Sequence, residues 1–244
     1  MTLRQAARAI EGLRGCPLFR QCDDDSLRAV VGSMRQRHFR RNEVIFHQGD
    51  PGDSLHVISS GSIKIVLPSP DGEEAIIATL REGDFFGELA LLDGEPRSAT
   101  ATAVEASETW LLPRESFIEL LDGRPGLRDA LLRALSGELR RLTVHVEELH
   151  FLDLAGRLAH RLVWLAERSP AASTPTATST PTATRTAITL DWPYTQSDLA
   201  SMIGGTRQSV NRLLATLVDD GLVRVEHDGL EILDLPRLAE RANR

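Results

Sequence analysis

The sequence predicts an α+β protein in which a glycine-punctuated β-roll (jelly roll) leads into one long helix and then into a winged helix-turn-helix unit. Three observations predict this fold class. Glycines recur every eleven residues at positions 61, 72, 83 and 94, a heptad of leucines follows residue 125, and two short amphipathic helices are joined by a Gly-Gly pair. Short, evenly spaced strands are typical of antiparallel rolls, and a leucine heptad is typical of paired helices.

Composition limits the class of protein. The chain has a net charge of −7 and 244 residues. This length is enough for two modest hydrophobic cores. No run approaches the roughly 18 apolar residues of a membrane helix, and the polar N-terminal helix differs from a signal sequence. We therefore expect a cytoplasmic protein without membrane partners, in which any nucleic-acid contact is local because the overall charge is negative.

The first predicted domain, residues 1–124, is the β-roll with helices at its start and end. The sequence PDGE at 70–73 is typical of a hairpin turn. Short alternating or apolar runs between turns are typical of strands. The predicted strands are EVIF at 43–46, LHVIS at 55–59, SIKIVL at 62–67, EAIIATL at 74–80 and ATATAV at 99–104.

The second predicted region, residues 125–152, is a dimerisation helix and hinge. Its apolar residues follow the alternating three-four spacing of a heptad seam: Leu132, Leu135, Leu139, Leu142, Val146 and Leu149. At about 1.5 Å per residue this helix is roughly 39 Å long. The alternative is a helix packed only on its own domain, but this helix is longer than a small roll. We therefore expect a parallel two-fold homodimer in which the helix pairs with its copy.

The third predicted domain, residues 153–244, begins with Asp153 as the N-cap of a helix over Gly156–Glu167. The following stretch, 169–187, consists almost entirely of Pro, Ser, Thr and Ala. Such a composition cannot bury a core, and it predicts a disordered insertion.

A helix-turn-helix is predicted after the insertion. Thr195 and Thr206 are placed to cap two helices around the Gly-Gly turn, and LVRV, EHDG and LEIL predict a small hairpin as the wing. An αα-hairpin without a DNA role is the alternative. The outward N-terminal face of the second helix favours DNA recognition, and its predicted DNA-binding residues are Thr206, Arg207, Gln208, Ser209, Asn211 and Arg212.

Each side chain on this face suits a contact with DNA. Arg207 and Arg212 can each donate two hydrogen bonds to guanine, and Gln208 matches the edge of adenine. Thr206 and Ser209 suit phosphate contacts.

The order of the elements resembles the CRP/FNR family of bacterial transcription regulators over nearly the whole chain. The resemblance rests on FLDLAGRLA at 151–159, TRQSVNRLL at 206–214, and a segment similar to the family's phosphate-binding cassette, with GELAL at 87–91 and PRSA at 96–99. It implies a cyclic-nucleotide ligand, a homodimer on a palindromic double-stranded DNA site, and contact with RNA polymerase.

The cassette residues suit such a ligand. Arg97 offers a forked guanidinium to a phosphate, and the turn Gly87-Glu88-Leu89 offers backbone N–H groups. Glu88 can accept from the ribose 2′-hydroxyl, and Ser98 can add a hydrogen bond to the phosphate. The alternative is a Glu88–Arg97 salt bridge that pins the turn, although surface pairs contribute only about 0–1 kcal/mol.

One departure from the family bears on the ligand. The family's cyclic-AMP activator reads the base with a Thr-Ser pair on the dimer helix, and Leu142 and Thr143 occupy those positions here. Thr143 is predicted to reach the adenine bound in the partner subunit. Cyclic AMP is the leading candidate ligand, and cyclic GMP is the second. The alternative function is a regulator that binds DNA independently of cyclic nucleotide or responds to another signal.

Other sensing and catalytic classes lack the residues they need. Cys16 and Cys22 are too few for an iron-sulfur cluster, and we find no nucleophile-base pair, metal set or P-loop. We therefore predict no enzyme, no metal site and no cofactor beyond the allosteric ligand. Haem sensing is disfavoured because the candidate ligands are scattered, namely His47, His56, His145, His150 and His160.

Overall fold

The computed structural model describes residues 3–20, 22–70, 72–167, 187–191, 194–226 and 229–242. The predicted disordered insertion at 169–187 lies outside these ranges except for Ala187. The chain divides into two compact units, Met1–Arg141 and Leu142–Arg244.

The first unit contains two antiparallel four-stranded sheets together with helices. The sheet orders are β1-β8-β3-β6 and β2-β7-β4-β5. The strands are β1 (Arg35–Phe39), β2 (Val44–Phe46), β3 (Ser54–Ser60), β4 (Ser62–Pro68), β5 (Glu74–Arg81), β6 (Phe85–Phe86), β7 (Thr100–Ala103) and β8 (Ser107–Pro113). The helices are α1 (Leu3–Gly15), α2 (Asp24–Ser33), α3 (Leu89–Asp93), α4 (Arg114–Gly123) and the first part of α5 (Pro125–Phe151).

Both sheets contribute to one apolar interior, which makes the first unit a roll as predicted. Its buried residues are Ile58, Ile63, Leu80, Phe86, Ala101 and Ala103. All five predicted strands are present. The arginine-rich β1, the two-residue β6 and β8 were not predicted, because none of them shows apolar alternation between glycines.

A second apolar cluster joins the helices to the first sheet. Trp110 on β8 and Phe117 on α4 pack in it with Leu127 and Leu131, near the start of α5. Since the first turns of α5 are buried in this cluster, the roll fixes where the long helix starts.

Helix α5 exposes most of its predicted seam. Leu135 is half-buried and packs against the second apolar cluster, so its side chain is covered within the first unit. The other five seam residues are exposed: Leu132, Leu139, Leu142, Val146 and Leu149. Exposed apolar residues in this pattern are typical of a helix that pairs with another chain.

The second unit is a three-stranded antiparallel sheet packed with helices. The sheet order is β10-β11-β9. Its elements are α6 (Leu154–Glu167), β9 (Ile188–Asp191), α7 (Gln196–Ile203), α8 (Arg207–Asp219), β10 (Val223–Val225), β11 (Gly229–Ile232) and α9 (Leu235–Ala242). The wing hairpin β10-β11 was predicted, whereas β9 and α9 were not. Within the described ranges, none of the helices has the length and apolar character needed to cross a bilayer.

Candidate phosphate-binding cassette and nucleic-acid interface

The predicted cassette forms a tight turn between β6 and β7. Gly87 follows β6 with φ of 86°. The short helix α3 starts two residues later, and Gly94, with φ of 77°, is the C-cap after its last residue. Glycine adopts these positive φ values at little cost. The turn brings Gly87 and Arg97 together although ten residues separate them in sequence.

Arg97 is anchored by its backbone and by its side chain. Its N–H donates to the Asp50 carbonyl at 2.8 Å, and its carbonyl accepts from Gly49 N at 2.9 Å. In the side chain, Nη1 donates to the Gly87 carbonyl at 2.7 Å. Nη2 donates to the carbonyl of Ser54 at 2.9 Å and to its hydroxyl at 3.2 Å. The guanidinium is therefore held in place by groups of the chain itself.

The surroundings of Arg97 suit the capture of an anion. The residue is only 4% exposed, and its guanidinium lies 4.2 Å from the centre of the Phe46 ring. Burial lowers the pKa of Arg97, whereas Asp53, whose carboxylate lies 3.6 Å from Nη2, and Glu88 oppose the shift. An arginine stays charged in proteins, and Nε is buried without an acceptor among the described residues. A buried cation with an unpaired donor favours an anionic ligand.

Glu88 lies beside the arginine but does not pair with it. The residue is half-buried just before α3, and the ion-pair partner of Arg97 within the described residues is Asp53. Burial raises the pKa of the Glu88 carboxyl, the Glu138 carboxylate adds to the shift, and Arg97 opposes it. The alternative in which a Glu88–Arg97 salt bridge pins the turn is therefore not supported, and Glu88 is left as an acceptor for an outside donor.

The remaining predicted ligand residues are distributed between the two units. Leu89 and Ser98 are exposed on the cassette itself. Thr143 lies on the part of α5 that belongs to the second unit, so its role stays a prediction. Sequence reasoning missed Ser54 and Asp53 on and before β3, which contact Arg97 from 43 and 44 residues away.

The helix-turn-helix is capped as predicted. Thr195 and Asp198 form a capping box at the start of α7, and Gly204, with φ of 69°, is the C-cap that follows its last residue. Thr206 caps α8, and its hydroxyl accepts from Ser209 N at 3.1 Å and lies 2.9 Å from the Ser209 hydroxyl. Both hydroxyls therefore order the start of α8, which is the end that binds phosphate groups favourably.

Helix α8 has one buried and one exposed face. Val210, Leu214 and Leu217 are buried. The predicted DNA-reading side chains lie on the exposed face, namely Arg207, Gln208, Asn211 and Arg212. Such an arrangement leaves these donors and acceptors available to the edges of DNA bases.

Helix α6 supports the turn between α7 and α8. Its N-cap is Asp153, as predicted, with Oδ1 accepting from Gly156 N at 2.7 Å. Arg157 Nη1 donates to the Ile203 carbonyl at 2.8 Å. Since Ile203 ends α7, this arginine provides a cation at the negative end of that helix, a contact that sequence reasoning missed.

Two of the histidines share an acidic partner that the sequence did not reveal. His160 Nδ1 lies 2.9 Å from Glu148 Oε1, and His145 Nδ1 lies 3.6 Å from Glu148 Oε2. Within the described ranges, no group of three such side chains is arranged to hold a metal ion. The contacts instead connect the end of α5 to α6 across the hinge.

Comparison with known proteins gives two domain matches. The cyclic nucleotide-binding domain family matches residues 36–124, and the Crp-like helix-turn-helix domain family matches residues 156–241.

Two relatives and one solved structure extend the match over the chain. The CRP-like cAMP-activated global transcriptional regulator of Mycobacterium tuberculosis is 31% identical over 225 residues, which cover 92% of this chain and 96% of that protein. The cAMP-activated global transcriptional regulator CRP of Salmonella typhimurium is 30% identical over 204 residues, covering 82% and 90%. The structure of FixK2 from Bradyrhizobium japonicum has a TM-score of 0.73 at 21% identity, covering 85% of this chain and 96% of that one, and supports the fold alone.

The two domains occur in the same order as in these regulators, and the similarity to the Mycobacterium protein spans almost the full length of both. This chain belongs to the CRP/FNR family of transcription regulators.

Proposed function

We propose that the chain is a homodimeric, cytoplasmic transcription regulator that binds cyclic AMP in the cassette and a palindromic DNA site through α8. The observation that carries the sensing part is the Arg97 guanidinium, which is buried and charged and retains an unpaired Nε–H. A cyclic phosphate supplies an acceptor oxygen for this N–H and a further negative charge beside the cation. As a transcription regulator, the chain is not expected to catalyse a reaction.

The cassette supports recognition of phosphate and sugar by different residues. Arg97, with backbone N–H groups of Gly87 to Leu89 and the exposed Ser98 hydroxyl, is assigned to the phosphate. Glu88 is assigned to the ribose 2′-hydroxyl, which a 3′,5′-cyclic monophosphate leaves free. The half-buried Glu88 carboxylate forms no salt bridge among the described residues, and a ribose hydroxyl can donate a hydrogen bond to it.

A second copy of the chain is the proposed occupant of the exposed α5 seam. Leu139 is 66% exposed and Leu132 is 63% exposed, and these positions repeat at the heptad spacing that a parallel helix pair buries. In such a dimer, Thr143 is proposed to reach the base of the nucleotide bound in the partner.

DNA binding is assigned to the exposed N-terminal face of α8. A two-fold dimer places two such helices about 34 Å apart, in successive major grooves. Arg207 and Arg212 are proposed to read guanine, Gln208 to read adenine, and Thr206, Ser209 and Asn211 to contact the backbone and neighbouring bases. Because the net charge is −7, non-specific affinity is expected to be modest. RNA polymerase is the further partner expected from the family.

The nucleotide is proposed to act by favouring one of two conformations of the dimer. A ligand shifts such an equilibrium only as far as it binds one state better than the other. The cassette and α5 are the elements assigned to ligand contact, and the hinge at 151–153 is assigned to the change that sets the α8 helices for DNA.

A second candidate is a family member that binds DNA without cyclic nucleotide or in response to another signal. Leu142 favours it, because an apolar, exposed side chain stands where the family's cyclic-AMP activator uses a polar one. Cyclic GMP is a further candidate ligand, because neither Ser98 nor Thr143 excludes it.

Calorimetric titration with cyclic AMP and cyclic GMP tests the sensing proposal, with DNA footprinting on a palindromic site in parallel. We expect cyclic AMP to bind and to sharpen the footprint, and Arg97→Ala to abolish both effects. Arg28→Ala is the control, because this exposed arginine pairs with Asp25 on α2. Absence of binding by either nucleotide, with an unchanged footprint, would establish the second candidate instead.

A further inference from the structure

Strand β3 carries two buried polar side chains beneath the cassette that the proposed function does not use. Ser54 is 5% exposed and His56 is 4% exposed. Residues two apart on a strand face the same side of the sheet, and here that side is the one on which Arg97 lies. Buried polar side chains are costly unless they are hydrogen-bonded, so their partners indicate what they do.

Ser54 contacts Arg97 through two acceptors. Its carbonyl and its hydroxyl oxygen both accept a hydrogen bond from Arg97 Nη2, at 2.9 and 3.2 Å respectively. The same hydroxyl donates to Asp53 Oδ1 at 2.8 Å, and its oxygen lies 3.5 Å from His56 Nε2. Ser54 therefore connects the guanidinium to the histidine ring.

His56 is held by a hydroxyl contact and by ring stacking. Its Nδ1 lies 3.0 Å from the hydroxyl of Thr109, and its ring stacks on Phe86 with 5.0 Å between centroids. Burial, together with the Arg97 cation, lowers the pKa of His56 to about 3, so the ring is neutral near pH 7. With the proton on Nε2, the ring donates toward Ser54 and accepts from Thr109, which gives each hydroxyl proton an acceptor.

We propose that Ser54 and His56 are positioning residues of the anion site, which hold the Arg97 guanidinium in one orientation before the nucleotide arrives. The inference rests on the proposed function of Arg97. Ordering a long arginine side chain costs conformational entropy on binding, and a side chain that is already ordered avoids that loss. Ser54 supplies the contact, and His56 orients the Ser54 hydroxyl.

The first measurement needs no ligand. Nitrogen-15 NMR of the Arg97 guanidinium reports rotation about the Cζ–Nη bonds and hydrogen exchange with water. Ser54→Ala is expected to accelerate both, His56→Phe to accelerate them less, and Ser54→Thr, which keeps the hydroxyl, to restore the original rates. Ser107→Ala is the matched control, since Ser107 is also a buried strand serine whose hydroxyl bonds to a backbone carbonyl at 2.9 Å.

The second measurement is the affinity for cyclic AMP by calorimetry on the full chain. Ser54→Ala is expected to weaken binding about tenfold, the size of one hydrogen bond to a charged group, and Ser54→Thr to recover most of it. In the background of Arg97→Lys, the Ser54→Ala change is expected to have little further effect, because its partner is gone.

The outcomes separate this inference from the proposed function. Unchanged guanidinium dynamics in Ser54→Ala would overturn the positioning role, whether or not nucleotide binds. A loss of affinity without a change in those dynamics would also overturn it. If the original chain binds no cyclic nucleotide, the proposed function fails, while the NMR comparison still decides whether Ser54 and His56 hold Arg97.

Discussion

Gly87 and Arg97 are in direct contact across the cassette turn: the Gly87 carbonyl accepts a hydrogen bond from Arg97 Nη1 at 2.7 Å. A β-carbon added to Gly87 would lie only 2.6 Å from that same nitrogen. Gly87 also has φ of 86°. Glycine is therefore required here for its backbone conformation and for the close approach of the guanidinium.

Gly87→Ala is expected to displace Arg97 and to weaken nucleotide binding at least about tenfold, with a stability loss of about 1–2 kcal/mol from the positive φ. Calorimetry and thermal unfolding measure the two effects. Gly72→Ala is the matched control, because Gly72 has φ of 84° but open space around its α-carbon. The Gly72→Ala variant should lose stability and keep its affinity for the nucleotide. Equal affinities of the two variants would show that the turn accommodates a β-carbon at position 87 without displacing Arg97.

Glu88→Gln is expected to make the ligand-free protein more stable and its nucleotide binding weaker. Burial raises the pKa of Glu88 in the folded state, so the charged carboxylate destabilises the fold at a pH above that pKa. This free-energy cost disappears as the pH falls through the folded-state pKa toward the unfolded-state value. The stability gain should therefore be largest near neutral pH. Thermal unfolding against pH and calorimetry test this, with the exposed Glu95→Gln as control; a variant that is less stable than the original near pH 7 would contradict it.

His56 is expected to make the roll sensitive to acid. Its pKa is lowered from 6.5 to about 3 by burial and by Arg97. Its contribution to stability is therefore complete above about pH 6.5 and is lost as the pH falls toward 3, at a slope of at most about 1.4 kcal/mol per pH unit. His56→Gln should flatten the denaturant-measured stability curve over this window. A curve as steep as that of the original chain would assign the acid sensitivity to other groups.

The architecture was predictable because its signals are periodic. The strands between glycines, the heptad on α5 and the two capped helices each repeat a local pattern that the fold uses directly. The exposed face of α8 follows from the same reasoning, because burying Val210 and Leu214 leaves Arg207 and Asn211 outside.

The environment of Arg97 was not predictable in this way. Its partners Ser54, which starts β3, and Asp53, which precedes β3, lie more than 40 residues earlier, and nothing local in DSLHVIS indicates these contacts. The half-buried position of Leu135 was missed for a similar reason: a heptad gives the spacing of an apolar stripe, but the neighbouring helices and sheet decide which of its members the chain itself covers.

Leu139→Glu is expected to convert the proposed dimer to a monomer and to abolish specific DNA binding. Leu139 is 66% exposed, so the folded single chain tolerates the change, whereas two carboxylates facing each other in a helix pair do not. Sedimentation or light scattering measures the mass. Arg140→Glu, one residue away and off the seam, is the control; a Leu139→Glu variant that keeps the mass of a dimer would place the interface elsewhere.

Arg157 is expected to affect DNA binding by positioning α8 rather than by touching DNA. Its Nη1 donates to the Ile203 carbonyl at 2.8 Å, and a β-carbon on Gly204 would lie 3.3 Å from that nitrogen, so the arginine packs closely against the turn before α8. Arg157→Met should weaken specific DNA binding about tenfold, and Arg157→Lys should recover part of it, because one donor to the carbonyl suffices.

The salt dependence of DNA binding distinguishes positioning from direct contact. A lost phosphate contact lowers the slope of log affinity against log salt by about one. Arg207→Ala, which removes a proposed guanine contact, is expected instead to relax the base preference at one position of the DNA site. Arg157→Met is expected to leave the slope unchanged, as is Arg237→Met, an exposed arginine on α9 chosen as control. A slope reduced by about one in Arg157→Met would mean that this arginine leaves the Ile203 carbonyl and neutralises a phosphate when DNA binds.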